Sequence, residues 1–238
     1  MKVEVTYLVH SCFTVELDDK VLLFDYPGRS FSRSNLNQLV KSKIKGKKAY
    51  IFASHSHGDH YSSDIFEFEN TASETYFILS DDIPLYGIPK SSNIYQIGSK
   101  KQITIDDLSI QTFESNDAGV AFLISYKNKK IYFGGDLAKW DWPEWSESKR
   151  REHVEVFESV LDELNKLDIE LAFSNMDERL KSWAGPLDFM RAVKPGYFVP
   201  MHTFGNESWI DDLIGEDIPK GISIFHYKKT GDSVVWDI

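Results

Sequence analysis

A chain of 238 residues with a single cysteine, Cys12, cannot close a disulfide within itself. That scarcity fits a reducing compartment, and a cytoplasmic location is the expectation. Positive charge is also short: 27 Lys and Arg face 37 Asp and Glu, a formal net charge of −10 at pH 7. An acidic chain repels phosphate, which argues against a broad nucleic-acid surface. It does not exclude a small anionic substrate, because a bound metal ion reverses the sign locally. No run approaches the roughly 20 apolar residues that span a bilayer, so no membrane segment is expected. The N-terminus, MKVEVTYLVHSCF, alternates apolar and polar residues and reads as a strand, not a signal peptide. Low-complexity linkers, solenoid-period repeats and composition shifts are missing, which leaves one domain over residues 1–238. The G-x-S-x-G elbow, the P-loop and the Gly-rich dinucleotide fingerprint are missing too, so those chemistries have no motif here.

What is present is mostly strand. VEVTYLV, CFTVEL and KVLLFDY read as a β-meander, the last two joined by the turn DDK. SNLNQLVKSKI predicts a short helix with Leu36, Leu39, Val40 and Ile44 on one face. AYIFAS is a buried strand, and helix-start residues Ser62, Ser63 and Asp64 follow shortly after it. A second block of β-rich runs extends from ETYFILS to KKIYFGGD, with a hairpin turn at Asn128. A long helix is predicted from about Ser146 to Leu167, its apolar stripe being Val154, Phe157, Val160, Leu161, Leu164 and Leu167. The strand IELAFSN, the helix PLDFMRAV stopped at Pro195 and Gly196, and the strands GYFVPMH, ISIFHY and SVVWDI complete the chain. Two packed sheets with helices outside is the natural solution.

Three of the seven histidines crowd into FASHSHGDHYS, residues 52–62. His55 and His57 leave a strand two residues apart, so both imidazoles can face one point. Gly58 is expected to take a positive φ and turn the chain, bringing Asp59 and His60 round from the other side. Imidazole and carboxylate donors suit zinc, and also manganese or iron. The bland alternative is a polar turn rich in histidine.

With these residues the sequence resembles the metallo-β-lactamase fold hydrolases. IYFGGDL resembles the family's strand ending in a metal-bridging aspartate, here Asp136, and YFVPMHT the late strand carrying the last histidine, here His202. VLLFDYPG resembles the early strand that ends in a supporting aspartate, here Asp25. LVHSCFTVE resembles the opening of the ascorbate-6-phosphate-lactonase-like branch. The resemblance implies a four-layer αββα sandwich of two mixed β-sheets. It implies His55 and His57 on a first metal, Asp59, His60 and His202 on a second, and Asp136 bridging, with one or two Zn²⁺ ions (Mn²⁺ or Fe²⁺ as alternatives).

One element departs from that pattern. The family places a further histidine before the strand leading to the bridging aspartate, and TFESNDAGVAFLI has none. Aligned on Gly119, Asn116 takes the place of that histidine and Asp117 follows it. Either Asp117 reaches the metal or one metal site is weak. His10, on a loop between two strands, is a further candidate. Trp140, Trp142 and Trp145 follow Asp136 directly and are candidates for a substrate-pocket wall or for a loop folded on the core. His153 is expected to be solvated, His226 structural and Cys12 buried filler.

The function expected is hydrolysis of a small-molecule ester, lactone, amide or phosphoester by metal-bound hydroxide, with Asp59 orienting the attack. A metal-binding or sensing protein without turnover and, behind it, a nuclease are the alternatives. A redox di-iron role ranks low, because His57 stands where those proteins carry a Glu and no flavin domain follows. The expected partner is a small-molecule substrate, and homo-oligomerisation is compatible with the sequence.

Overall fold

Three antiparallel strands begin the chain because each β-rich run ends in a two-residue turn. The strands are β1 (Lys2–Val9), β2 (Cys12–Leu17) and β3 (Lys20–Phe24). Their turns rest on left-handed residues, His10 (φ 51) and Asp18 (φ 51). A computed structural model of the chain describes residues 1–31, 35–86 and 93–238. Ser34, the first residue of the expected short helix, lies outside the described residues. The described helix is α1 (Leu36–Ile44), with Asn35 accepting from the Gln38 amide as its cap. It buries Leu36, Val40 and Ile44. It leads to β4 (Lys48–Ala53), then a 3₁₀ turn over Ser63–Phe68 capped by Ser62, β5 (Glu74–Ser80) and β6 (Asn93–Ile97).

These strands form one seven-stranded sheet, in the order β14-β1-β2-β3-β4-β5-β6 with β14 (Ser233–Asp237) at its edge. Pairing is antiparallel from β14 to β3 and parallel from β3 to β6. β3, β4 and β5 are buried almost throughout, as strands covered on both faces must be, while the edge strand β6 is mostly exposed. Together with residues 227–238, residues 1–98 make the first of two compact units.

The second unit, residues 99–226, repeats the plan in the same chain order, antiparallel strands first and parallel strands after. β7 (Gln102–Ile105), β8 (Leu108–Glu114), β9 (Val120–Tyr126) and β10 (Lys129–Phe133) pair antiparallel. From β10 the sheet continues in parallel through β11 (Leu171–Asn175) and β12 (Tyr197–Met201) to β13 (Ser223–Ile224). The β9–β10 turn is Lys127 and Asn128, at φ 48 and 62. Positive φ at both central residues is the hairpin geometry that matches strand twist.

The long helix α2 (Glu147–Leu164) starts one residue after the expected Ser146, which caps it, and buries Phe157, Val160, Leu161 and Leu164. It ends three residues before Leu167, which follows in a turn. α3 (Pro186–Val193) ends on Lys194 in the left-handed conformation (φ 52), so the lysine before Pro195 turns the chain, not Gly196. α4 (Trp209–Ile214) was not expected, since its apolar pattern lasts under two turns. ISIFHY yields only the two-residue β13. Among the described residues no helix is long and apolar enough to cross a membrane. Cys12 is fully buried, and burial pushes its thiol pKa up, as inert filler requires.

Gly185 shows how tightly the second unit is built. It follows Trp183 (φ 56) and Ala184 (φ 61) and itself has φ 94. A Cβ there would sit 2.8 Å from the Phe157 ring and 2.9 Å from Lys139 Cβ. Gly185→Ala should therefore lower stability by about 2–4 kcal/mol, from left-handed strain and overpacking together, as read by denaturant unfolding.

Candidate functional site

Parallel strands deliver their carboxyl ends to one edge, and loops leaving that edge are where α/β sheets place ligands. In the first unit β3 ends in Asp25 and β4 ends at Ser54 and His55. Asp25 is left-handed (φ 45), with its amide donating to the Phe52 carbonyl at 3.0 Å. That bend holds a carboxylate with no exposed surface against the next strand's loop. It accepts from the Ser54 amide (2.7 Å), the Ser54 hydroxyl (2.6 Å) and His60 Nδ1 (2.7 Å).

The network fixes histidine tautomers. His60 Nδ1 carries the proton it gives to Asp25, so Nε2 carries the lone pair. Ser54 spends its only hydroxyl proton on Asp25, so at 2.9 Å from His55 Nδ1 its oxygen must accept. His55 therefore also presents a lone pair at Nε2. Carboxylate-backed imidazoles of this kind are the usual support for a metal ligand.

The cluster 54–60 turns without the expected glycine device. Gly58 does not have a positive φ, and a Cβ there would meet nothing within 4 Å. The turn closes instead through the His60 and Tyr61 amides, which donate to the His57 carbonyl at 3.0 and 2.9 Å. Asp82, just after β5, accepts from the Ser56 amide at 2.9 Å and holds the loop. His55 and His57 rings stand edge to face at 4.6 Å, the first buried and the second exposed.

His10 joins this cluster. A bulge between Tyr7 and Val9 re-aims the end of β1, and the Tyr7 hydroxyl accepts from the His10 amide at 3.1 Å. His10 Nε2 lies 3.4 Å from Asp59 Oδ2, and His60 Nε2 lies 3.8 Å from it. Donor atoms of His10, Asp59 and His60 lie within 4.8 Å of one another, and so do those of Asp25, His55 and His60. This donor set, neutral imidazoles with carboxylates, fits a divalent zinc, manganese or iron ion.

Electrostatics favour the metal-ready forms. Burial pushes the His55 pKa down to about 4, with the neighbouring His60 adding to the shift. Burial also lowers His10, against the pull of Asp59. Burial alone would raise Asp59, but the His10 hydrogen bond and the charges of His60 and His10 bring it well below the usual carboxylate range.

In the second unit β10 leads through Gly134 and Gly135 to Asp136, and β12 ends at His202, a left-handed residue (φ 66). His202 Nε2 lies 3.7 Å from Asp136 Oδ1. A carboxylate oxygen of Asp117 lies within 4.8 Å of one of Asp136. Asn116 is committed elsewhere: its Nδ2 donates to the Ala138 and His153 carbonyls (2.6 and 2.7 Å), and its Oδ1 accepts from the Ala138 amide at 3.2 Å. It ties the β8–β9 loop to the segment after Asp136 and to α2. His153, expected in solvent, is half-buried against the Trp145 ring at 4.5 Å. His226 is exposed and pairs with Asp211 at 2.6 Å.

The tryptophans divide between the two roles weighed for them. Trp140 is buried, its Nε1 donating to the Asp136 carbonyl at 2.9 Å and its ring 5.3 Å from that of His202. Trp142 stacks on it, half-buried, at 6.3 Å. With Trp145, Asp117, Asp136, His202, Arg179 and Phe204 they line a cleft of about 200 Å³. Ser54, Arg179 and Phe204 were not singled out from the sequence. SNMDER and HTF carry no spacing that marks them, and only the turns after β11 and β12 bring Arg179 and Phe204 to the cleft.

The neutral histidines set a pH signature. His55 binds fewer protons folded than unfolded between its folded pKa of about 4 and the ordinary 6.5. Chelator-treated protein should therefore lose stability as pH falls through that window. His55→Gln should flatten the dependence, as followed by urea midpoints at several pH values.

The sequence matches the family model described as a beta-lactamase superfamily domain over residues 4–202. No curated protein matches it. Solved structures share the fold at low identity. A metallo-hydrolase of the hyperthermophilic archaeon Ignicoccus hospitalis is 16% identical with TM-score 0.71, both chains covered completely. The metallo-beta-lactamase fold protein YhfI of Bacillus subtilis is 16% identical with TM-score 0.66, over 99% of this chain and 100% of that one. CmlA, a diiron beta-hydroxylase of Streptomyces venezuelae, is 10% identical with TM-score 0.62, over 99% of this chain and 54% of that one. With its two mixed sheets, its few helices and a family match over most of its length, the chain belongs to the beta-lactamase superfamily and has the metallo-β-lactamase α/β sandwich fold.

Proposed function

We propose that this protein is a metal-dependent hydrolase of a small-molecule ester, lactone, amide or phosphoester. The observation that carries the reading is the buried Asp25–Ser54–His55 and Asp25–His60 network, which orients two imidazoles by their Nδ1 atoms and leaves Nε2 as the ligating nitrogen. A packed core has no use for a buried carboxylate with two imidazoles aligned in this way, whereas a metal site requires it. The proposed ligands are His55, His57, Asp59 and His60 of the first unit and Asp136 and His202 of the second. The metal would supply Lewis acidity and water ionised near neutral pH.

The chain's own residues have distinct parts. Asp25 sets tautomer and ring orientation. Asp59, only partly buried and held anionic by His10 and His60, can accept a hydrogen bond from the attacking water and so orient it. His10 holds Asp59 from behind. Trp140 and Trp142 present an apolar wall for the substrate body.

A second reading, metal binding without turnover, is favoured by one observation: Asn116, standing where the family resemblance expects a histidine, spends its amide on backbone groups. Elemental analysis with a panel of lactone, phosphodiester and thioester substrates separates the two. Turnover that needs the metal supports hydrolysis, and bound metal with no turnover supports the second reading.

Two outcomes are expected of variants. Asp25→Asn should weaken metal binding about 10- to 100-fold, read by competition with a chromogenic chelator, while the fold persists by circular dichroism. Asp59→Ala, His60→Ala and Asp136→Ala should each abolish turnover and lower bound metal. Full activity of metal-free protein would refute the proposal.

A further inference from the structure

Among the described residues, the cleft lined by Trp140 and Trp142 contains one Lys or Arg, Arg179, and its setting is built rather than incidental. Arg179 follows β11 by four residues. Asp177, with no exposed surface, accepts from the Arg179 amide (3.0 Å), from its Nε (2.8 Å) and from its Nη2 (2.5 Å). That pairing occupies one edge of the guanidinium and raises its pKa further, so it is cationic at any working pH. Two aromatic rings also stand beside the guanidinium. Its Cζ stands 5.1 Å from the Trp142 ring centroid and 4.9 Å from that of Phe204.

The backbone beneath is pinned. The Asp177 amide donates to the Trp183 carbonyl (3.0 Å), the Leu180 amide to the Asp177 carbonyl (3.1 Å), and the Lys139 amide to the Ala184 carbonyl (2.8 Å). Ser182 Oγ donates to Asp141 at 2.7 Å, and Leu180 and Ala184 are buried with Ala138 and Trp140. Phe204 is held in the left-handed conformation (φ 51). Strain of that kind persists where the surroundings over-determine it.

A planar guanidinium with its Nε/Nη2 edge held on a buried carboxylate, and two aromatic rings within cation–π distance, keeps its remaining N–H donors directed in that plane. The side chain is still 52% exposed. Donors pre-organised in a plane suit a carboxylate or a phosphoryl group, which takes two parallel hydrogen bonds. The walls beside them are Trp140, Trp142 and Phe204, so the rest of the ligand would be apolar or ring-shaped.

We propose that Arg179 is a specificity-determining residue that binds an anionic group of the substrate, a carboxylate or phosphate attached to an apolar or ring-bearing body lying along Trp142. This rests on the hydrolase reading in one respect: the Asp117 and Asp136 carboxylates in the same cleft repel an anion unless a metal offsets them. The substrate class is thereby narrowed to organic anions, with the scissile bond on the Asp136 and His202 side.

Binding can be read without turnover, from the quenching of tryptophan fluorescence in metal-loaded protein. The probes are phenyl phosphate, benzoate and the neutral benzyl alcohol. Wild type should bind both anions at least about ten-fold more tightly than the alcohol, the range a charge-assisted pair gives. Arg179→Gln should lose that preference while its affinity for benzyl alcohol and its metal content stay unchanged. Arg179→Lys should recover only part of it, because an ammonium lacks the fork. Trp142→Leu should weaken all the probes. An anion preference that survives in Arg179→Gln would mean the metal alone holds the anion, and would overturn the proposal. So would a wild type that binds the three probes equally or not at all. Wild-type protein that takes up no metal would instead count against the hydrolase reading, and that result is distinct from any change at Arg179.

Discussion

The carboxylate of Asp25 has no contact with solvent, and the first unit arranges its loops around that fact. A buried charge is tolerated only when donors surround it. Here the donors come from the Ser54 amide, the Ser54 hydroxyl and His60 Nδ1. Satisfying one carboxylate thus fixes the end of β4, the tautomer of His60 and, through Ser54, the tautomer of His55. The left-handed bend at Asp25 is the local cost of bringing that group across to the neighbouring strand. His10 and Asp59 are then arranged around His60 from the hairpin and the turn.

The second unit meets a similar demand with backbone strain and aromatic packing. Trp183, Ala184, His202 and Phe204 all take the left-handed conformation, rare for residues with a Cβ. They lie in the two loops that leave the carboxyl ends of β11 and β12. Asn116 ties a third loop to Ala138 and His153. The result is a cleft lined by residues from four loops of this unit, those after β8, β10, β11 and β12. Trp140, expected as either core or wall, serves as both: its indole N–H is spent on Asp136 while its ring borders the cleft.

Much of the fold was legible in the sequence. β2, β5 and α3 match their apolar or alternating runs residue for residue. The start of α2 near Ser146, and a turn at Asn128, were readable because helix-start and hairpin signals act over a few residues. Gly58 misled, because glycine permits a positive φ without requiring it. Gly196 misled in the same way, since Lys194 took the left-handed position instead.

The sequence by itself determined the strands, the main helices and the crowding of His55, His57, Asp59 and His60, since these depend on neighbours within a few positions. Asp25, Asp136 and His202 were marked by the resemblance of their segments to those of the metallo-β-lactamase fold hydrolases. Only the tertiary structure decided how those groups are used. It assigned the imidazole tautomers through Asp25 and Ser54, took Asn116 for the backbone, and set Arg179 near Trp142 and Phe204 against buried Asp177. Each of these contacts joins residues from different loops or strand ends, and no local pattern encodes a hydrogen bond or a ring contact that exists only after the strands have paired.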